Sequence, residues 1–333
     1  TLSLCCCFIS PCIPSAKYLK KKASNRLQSG NDPKKVVLVY AGIVALSSLV
    51  VTVVQDLLDS QISQTGGIQN IGTRSMLTTA DTVLTIAQLL LVMCLTLGYT
   101  GSMLRIARGQ YASPNSLKAG GERIWVLLRT RLLQMLIMTA AAFALCFLVV
   151  NVCLLTPLSN RVIAVMGTVS AEELLSNGLA LMALYSAMLP IILIYLVALV
   201  PLLWYFSCTY RMVDYLLIDR PQLGAFGVLR ESRRMMQGNM KMMLRVDLSF
   251  WWYYLLQALV SVLIYLNMVL APFAIGLPPE VLYWGTVVLY LAADFALRYF
   301  FSNKVAVTYA LFYDSLCPKQ EQSGAVLGNI FQM

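Results

Sequence analysis

An all-α, polytopic transmembrane helical bundle of about six spans is the fold the sequence predicts, with both termini cytoplasmic and an amphipathic cytoplasmic helix between spans four and five. Three observations predict it. Apolar residues fill 59% of the 333 positions and charged residues 12%, with a mean hydropathy of +0.73, a balance outside the range of a soluble domain. The apolar residues fall in runs long enough to cross a hydrocarbon core about 30 Å thick. Assigning the alternate segments between those runs, with both termini, to one side gives it 23 of the 25 lysines and arginines, Arg298 at the inner end of span six included, and basic segments stay in the cytoplasm. The net charge of +10 is therefore read as topology and not as a nucleic-acid footprint.

Residues 1–14, TLSLCCCFISPCIP, hold four cysteines and no charge. They are too short to span and lack a basic leader. They are read as a disordered tail or as sequence upstream of the true start, the first methionine being Met76; a metal site and a palmitoylated cluster are the other readings. Lys17, Lys20, Lys21, Lys22 and Arg26 form a basic, helix-compatible arm closed by Gly30-Asn31-Asp32-Pro33. The membrane domain covers residues 15–316, with spans at about 36–54, 82–104, 132–155, 179–206, 248–275 and 281–301. Residues 317–333 form a cytoplasmic tail.

The connections carry the orientation. Residues 55–80 contain a single basic residue, Arg74, and read as an external loop, with Asp81 as a helix-start charge favoured by the dipole. The next loop holds Arg105, Arg108, Lys118, Arg123, Arg129 and Arg131, with a short interfacial helix expected around Trp125. Beyond span three, Arg161 stands alone against Glu172 and Glu173. The stretch Leu174 to Tyr210 is uncharged for 37 residues, about 55 Å as a straight helix. A hairpin at Pro190 and one long span kinked at Pro190 and Pro201 both fit that length, and the charge pattern selects the single span. Tyr309, Phe312 and Tyr313 are placed on a cytoplasmic tail helix.

Pro221 to Trp252 is the most informative stretch. At helical spacing Ala225, Val228, Leu229, Ser232, Met235 and Met236 share one face, and Arg230, Arg233, Arg234 and Gln237 the other. Gly238-Asn239 supplies a stop. Such a helix lies either on an anionic leaflet, with Arg230, Arg233, Arg234, Lys241 and Arg245 toward lipid head groups or a partner, or on the protein's own spans.

The chain contains no histidine, which removes Ser-His-Asp, Cys-His and His-based zinc chemistry. No catalytic, cofactor-binding or metal-ligating constellation is read, and the protein is not expected to be an enzyme. Asp294 lies inside span six, where a carboxylate costs about 2.5–3.5 kcal/mol on insertion scales. Arg298, four residues on, shares its face as an ion pair. The pair is either a coupling-ion or proton site or a structural pair with Arg298 reaching toward water. Asp247, beside Arg245, reads as another helix-start charge. Gly98, Gly101 and Ser102 make a close-packing face, and Gln88, Gln134, Asn151, Gln257 and Asn267 either line a polar path or, as amides in spans more often do, act as interhelical glue.

The stretch also resembles a known family. Ser232, Met236, Gly238, Asn239 and Lys241, followed by Asp247-Leu248-Ser249-Phe250-Trp251, are similar to a motif in a domain-of-unknown-function family of bacterial integral membrane proteins, frequent in Gram-positive bacteria. Lys20-Lys21-Lys22-Ala23 with Leu27, Gly98-Tyr99 leading to Arg108-Gly109, and Ala310-Leu311-Phe312-Tyr313 extend the likeness from about Ser15 to Leu316. Gly30-Asn31-Asp32 departs from the family's Gly-Asn-Trp element. The resemblance implies six spans and a multi-pass place in a bacterial plasma membrane, but no activity. The expected role is a non-enzymatic accessory or scaffold component contacting anionic lipid or a membrane or cytoplasmic protein, with a small transporter or lipid-handling permease as the alternative.

Overall fold

The computed structural model describes residues 15–28, 33–64, 71–156, 160, 162–164, 178–270 and 279–317. The cysteine-rich segment 1–14, Arg161 with Glu172 and Glu173, the link 271–278 and the tail from 318 lie outside the described residues. Among the described residues the regular elements are all helical. They are α1 (Ala16–Gln28), α2 (Pro33–Gln64), α3 (Ile71–Ala107), a 3-10 turn (Pro114–Lys118), α4 (Ala119–Glu122), α5 (Ile124–Leu154), α6 (Gly178–Thr209), α7 (Val213–Asp219), α8 (Ala225–Met236), α9 (Met240–Ser249), α10 (Trp251–Leu270), α11 (Pro279–Leu297), a π-helical turn (Arg298–Ser302) and α12 (Asn303–Leu316).

Among the described residues, five stretches are long and apolar enough to cross a membrane: Lys34–Leu58, Ser75–Ala107, Ile124–Leu154, Ser186–Asp219 and Val281–Leu316. In addition, α10 is 20 residues without a charge, about 30 Å of helix. The chain divides into two compact units. One comprises Thr1–Ile124, Asp214–Pro221 and Lys241–Met333, the other Trp125–Val213 and Gln222–Met240.

In the first unit, Pro33 occupies the opening turn of α2, where its missing N–H costs nothing. Val36, Val37, Tyr40, Ala41, Val44 and Val51 are buried, while Leu38, Leu46, Val50 and Leu57 point outward. An apolar side chain facing outward on a span this long is matched by lipid tails, so burial here selects the protein-facing stripe and not the apolar one. α2 packs mainly on α3, and also on α11 and the π-helical turn; Gln88 Nε2 of α3 donates to Ser48 Oγ of α2 at 3.2 Å.

Polar residues continue helices further than hydropathy suggests. The expected external loop 55–80 is mostly helix, because α2 runs to Gln64 and α3 begins at Ile71. Thr79 and Thr82 return their hydroxyls to carbonyls one turn earlier, of Ser75 and Thr78, so the polar side chains are satisfied within the helix. Asp81 is consequently well inside α3, not at its start, and accepts from Gln55 Nε2 at 2.9 Å.

Glycine sets the approach of the loop after α3. A Cβ on Gly98 would lie 2.2 Å from the Leu117 carbonyl oxygen, and one on Gly120 would lie 2.0 Å from that of Cys94. The backbone of residues 117–120 thus rests directly on α3. Ser102, fully buried, places its hydroxyl 2.6 Å from Ser116 Oγ. The expected helix around Trp125 is not separate: no breaker follows Ile124, and Trp125, Arg129 and Arg131 form the opening turns of α5.

In the second unit α6 runs unbroken through Pro190 and Pro201. This is the single-helix reading of the uncharged stretch. Its side chains, among them Leu189, Leu193, Val197 and Val200, are largely exposed, as a lipid-facing helix requires.

Replacing Gly98 by Ala forces two backbones apart, whereas Gly42, with nothing within 4 Å of its notional Cβ, gains helix propensity of about 0.5–1 kcal/mol on the same change. In detergent, Gly98→Ala is expected to lower the thermal unfolding midpoint by several degrees and Gly42→Ala to leave it unchanged or raised; equal midpoints would contradict the packing described.

Candidate functional site

Three places concentrate polar chemistry among the described residues. The first is the pair formed by Asp294 and Arg298. Arg298 Nε donates to Asp294 Oδ2 at 2.7 Å, with the two side chains 26% and 14% exposed. Arg298 Nη1 also reaches Tyr40 Oη at 3.4 Å. Tyr40 stacks on Tyr99, ring centroids 4.5 Å apart, and Tyr99 Oη lies 3.1 Å from Ser302 Oγ and donates to Asn303 Oδ1 at 3.3 Å. The carboxylate is neutralised by a guanidinium that has a second partner. Such closure stabilises two charges in a poorly hydrated place. Arg298 opens the π-helical turn, whose wider winding lets α12 follow α11 with Ser302 and Asn303 turned to Tyr99.

The second is α8. Val228, Leu229, Ser232 and Met236 are buried, and Ser232 Oγ donates to the Thr209 carbonyl of α6 at 2.8 Å. The methionine-bearing face is therefore occupied by protein, which is the second of the two readings its amphipathicity allowed. Arg230, Arg233 and Arg234 are exposed, Arg234 lying 3.9 Å from Glu231. Phe226, 76% exposed, joins the outer surface. The family-like motif ends this helix. Gly238 has φ +84°, a left-handed conformation that favours glycine, and Asn239 Nδ2 donates back to the Met235 carbonyl at 2.9 Å. Lys241 and Arg245 are exposed on α9. Asp247, near the end of α9 and not at a helix start, accepts from the Tyr309 hydroxyl.

The third was not singled out from the sequence. Beyond α3, Gly109 takes φ +80° while Gln110 N–H bonds the Arg105 carbonyl at 2.8 Å, a Schellman-type stop. That stop aims Arg108 across the helix ends. Its Nη1 and Nη2 meet Asp219 Oδ1 and Oδ2 at 2.7 and 3.1 Å, and its Nε and Nη2 meet Asp314 Oδ1 at 3.1 and 2.9 Å. Tyr313 Oη adds a bond to Asp219 Oδ2 at 3.1 Å. These bonds, led by that to Asp219, hold the guanidinium still further above its ordinary pKa. Arg123 Nη1 caps the same end of α7 through the carbonyls of Leu217 and Ile218, at 2.6 and 3.2 Å. A carboxylate inside an otherwise basic segment was the available signal, since such a group needs a cation.

The basic arm is likewise docked. In α1, Leu19 and Ala23 are buried. Lys20 donates to the Ser249 carbonyl and stands 4.0 Å above the Phe250 ring. Desolvation, reinforced by Lys304, lowers the Lys20 pKa.

Long apolar helices with outward apolar faces and charged groups gathered near helix ends define a helical protein of the multi-span membrane class. The chain belongs to the family described as "Protein of unknown function (DUF975)", which it matches over residues 17–320. No curated protein and no solved structure matches it.

Arg108→Lys retains charge but loses the planar fork that serves two carboxylates. Its expected cost is about 2 kcal/mol, read as a lowered unfolding midpoint in detergent, with Arg108→Ala costing more. Stability unaffected by either change would remove the clamp.

Proposed function

We propose that this protein is a six-span component of a bacterial plasma membrane, with both termini cytoplasmic, acting without catalysis as an accessory or scaffold subunit. Its basic cytoplasmic surface contacts anionic head groups or an acidic partner protein. The observation that carries this reading is the sorting of α8: its apolar face is used in packing, while Arg230, Arg233 and Arg234 are held outward on a helix whose position is thereby set. Lys241 and Arg245, on α9 of the first unit, are exposed as well. Near an anionic leaflet each such charge contributes about 1 kcal/mol. The sixth span is α10, and six crossings return both ends to one side.

A permease using the Asp294 region is the second reading, favoured by the π-helical turn that starts at Arg298, since such turns recur at functional sites. The pairing of Asp294 with Arg298 favours the structural role instead.

Mild-detergent purification of the full chain from native membranes, followed by mass spectrometry of what remains, separates the two. A stoichiometric partner, lost from the Arg230→Ala/Arg233→Ala/Arg234→Ala variant, supports the scaffold reading. Recovery of the protein alone, with a solute flux in proteoliposomes that Asp294→Asn abolishes at normal abundance, supports the permease.

A further inference from the structure

Beside the backbone contacts at Gly98 and Gly120 lies a cavity of about 210 Å³. Its walls come from four elements of the first unit: α3 through Gly101 and Arg105, the 3-10 turn through Ser116, α4 through Glu122 and α7 through Ile218, with Arg123 following α4. A Cβ on Gly101 would stand 3.5 Å from Ile218 Cδ1, so α3 and α7 meet along one wall. The volume equals that of about seven waters, room for a solute the size of an amino acid. Three charged side chains reach it, differently committed. Arg123 is half-buried and fixed, Nη1 donating to the carbonyls of Leu217 and Ile218 at 2.6 and 3.2 Å; its Nε and Nη2 have no protein partner among the described residues. Arg105 and Glu122 are exposed, and neither side chain has an ion pair or hydrogen bond among the described residues. Opposite charges that share a cavity without meeting leave a donor and an acceptor to be bridged. Arg105 stands two residues before the end of the membrane-length stretch Ser75–Ala107, which puts the cavity at the depth of lipid head groups.

We propose that this cavity binds a zwitterion in which a phosphate ester and a primary ammonium stand a few bonds apart. The phosphate takes the unspent donors of Arg123 and those of Arg105, since two guanidiniums suit a group with several charged oxygens. The ammonium donates to the Glu122 carboxylate. A plain anion would be repelled by Glu122, and a plain amine would face two guanidiniums; a molecule with both charges satisfies all three side chains. Its source is either the head group of an aminophospholipid or a soluble phosphorylated amine. The site is built without the arginines of α8 and does not rest on the role proposed for them.

The test uses the full chain purified in detergent. One arm measures by native mass spectrometry how much phosphatidylethanolamine, relative to phosphatidylglycerol, the protein retains from an equimolar mixture. The other measures the shift of the unfolding midpoint produced by phosphoethanolamine. Glu122→Gln and Arg105→Gln are the variants, both at exposed positions without a protein partner among the described residues, so their ligand-free midpoints are expected to stay close to that of the unaltered protein. Arg230→Ala/Arg233→Ala/Arg234→Ala is the control. Binding that weakens about tenfold in each single variant, as loss of one charge-assisted bond requires, with the control unaffected, supports the site. Preference for phosphatidylethanolamine without a response to phosphoethanolamine identifies the lipid; a response to phosphoethanolamine without lipid preference identifies a soluble ligand. Binding that weakens in Arg105→Gln but holds or tightens in Glu122→Gln means a plain anion and overturns the proposal. Absence of both effects in the unaltered protein overturns it as well, and loss only in the α8 variant does so while leaving the reading of α8 intact.

Discussion

The fork of Arg108 is the interaction on which the first unit depends. One guanidinium engages Asp219 at the end of α7 and Asp314 near the end of α12, while α12 in turn carries α1. Three segments far apart in the chain are held where a membrane-length helix stops. Packing alone would not specify that arrangement, because apolar surfaces slide over one another with little change in energy, whereas a planar five-donor group fits its carboxylates in few geometries. Asp219 and Asp314 both approach the same cation, so without it their mutual repulsion would separate α7 from α12.

Glycine provides the complementary constraint. At Gly98 and Gly120 the absence of side chains lets a polar loop lie on α3, backbone against backbone. Ser102 and Ser116 then share a hydrogen bond that would be out of reach at ordinary separation. Close approach by small residues and short-range polar pairing are the means by which helices associate when apolar surface alone gives no preference between protein and lipid.

How much of this was legible in the sequence depended on range. The two faces of α8, the stop at Gly238 and the spacing of Asp294 and Arg298 are local, and a helical period of 3.6 residues exposes each of them. Arg108 is 111 residues from Asp219 and 206 from Asp314, a separation that no period encodes. Helix ends were misjudged at 55–80 because hydropathy reports where lipid stops, not where a backbone ladder stops. The destination of the Met235-Met236 face was open for a different reason: a lipid surface and a protein groove ask the same pattern of a helix, and only the partner at Thr209 distinguishes them.

The two prolines of α6 give the longest apolar helix of the second unit a mechanical character. Proline has no N–H, so the ladder lacks the bonds that the carbonyls of Ser186 and Val197 would otherwise receive from positions 190 and 201. The helix behaves as stiff rods joined at two compliant points about 16 Å apart along its axis. Lateral load from a thickening or thinning bilayer would be absorbed at those depths, sparing the packed end where Thr209 receives Ser232.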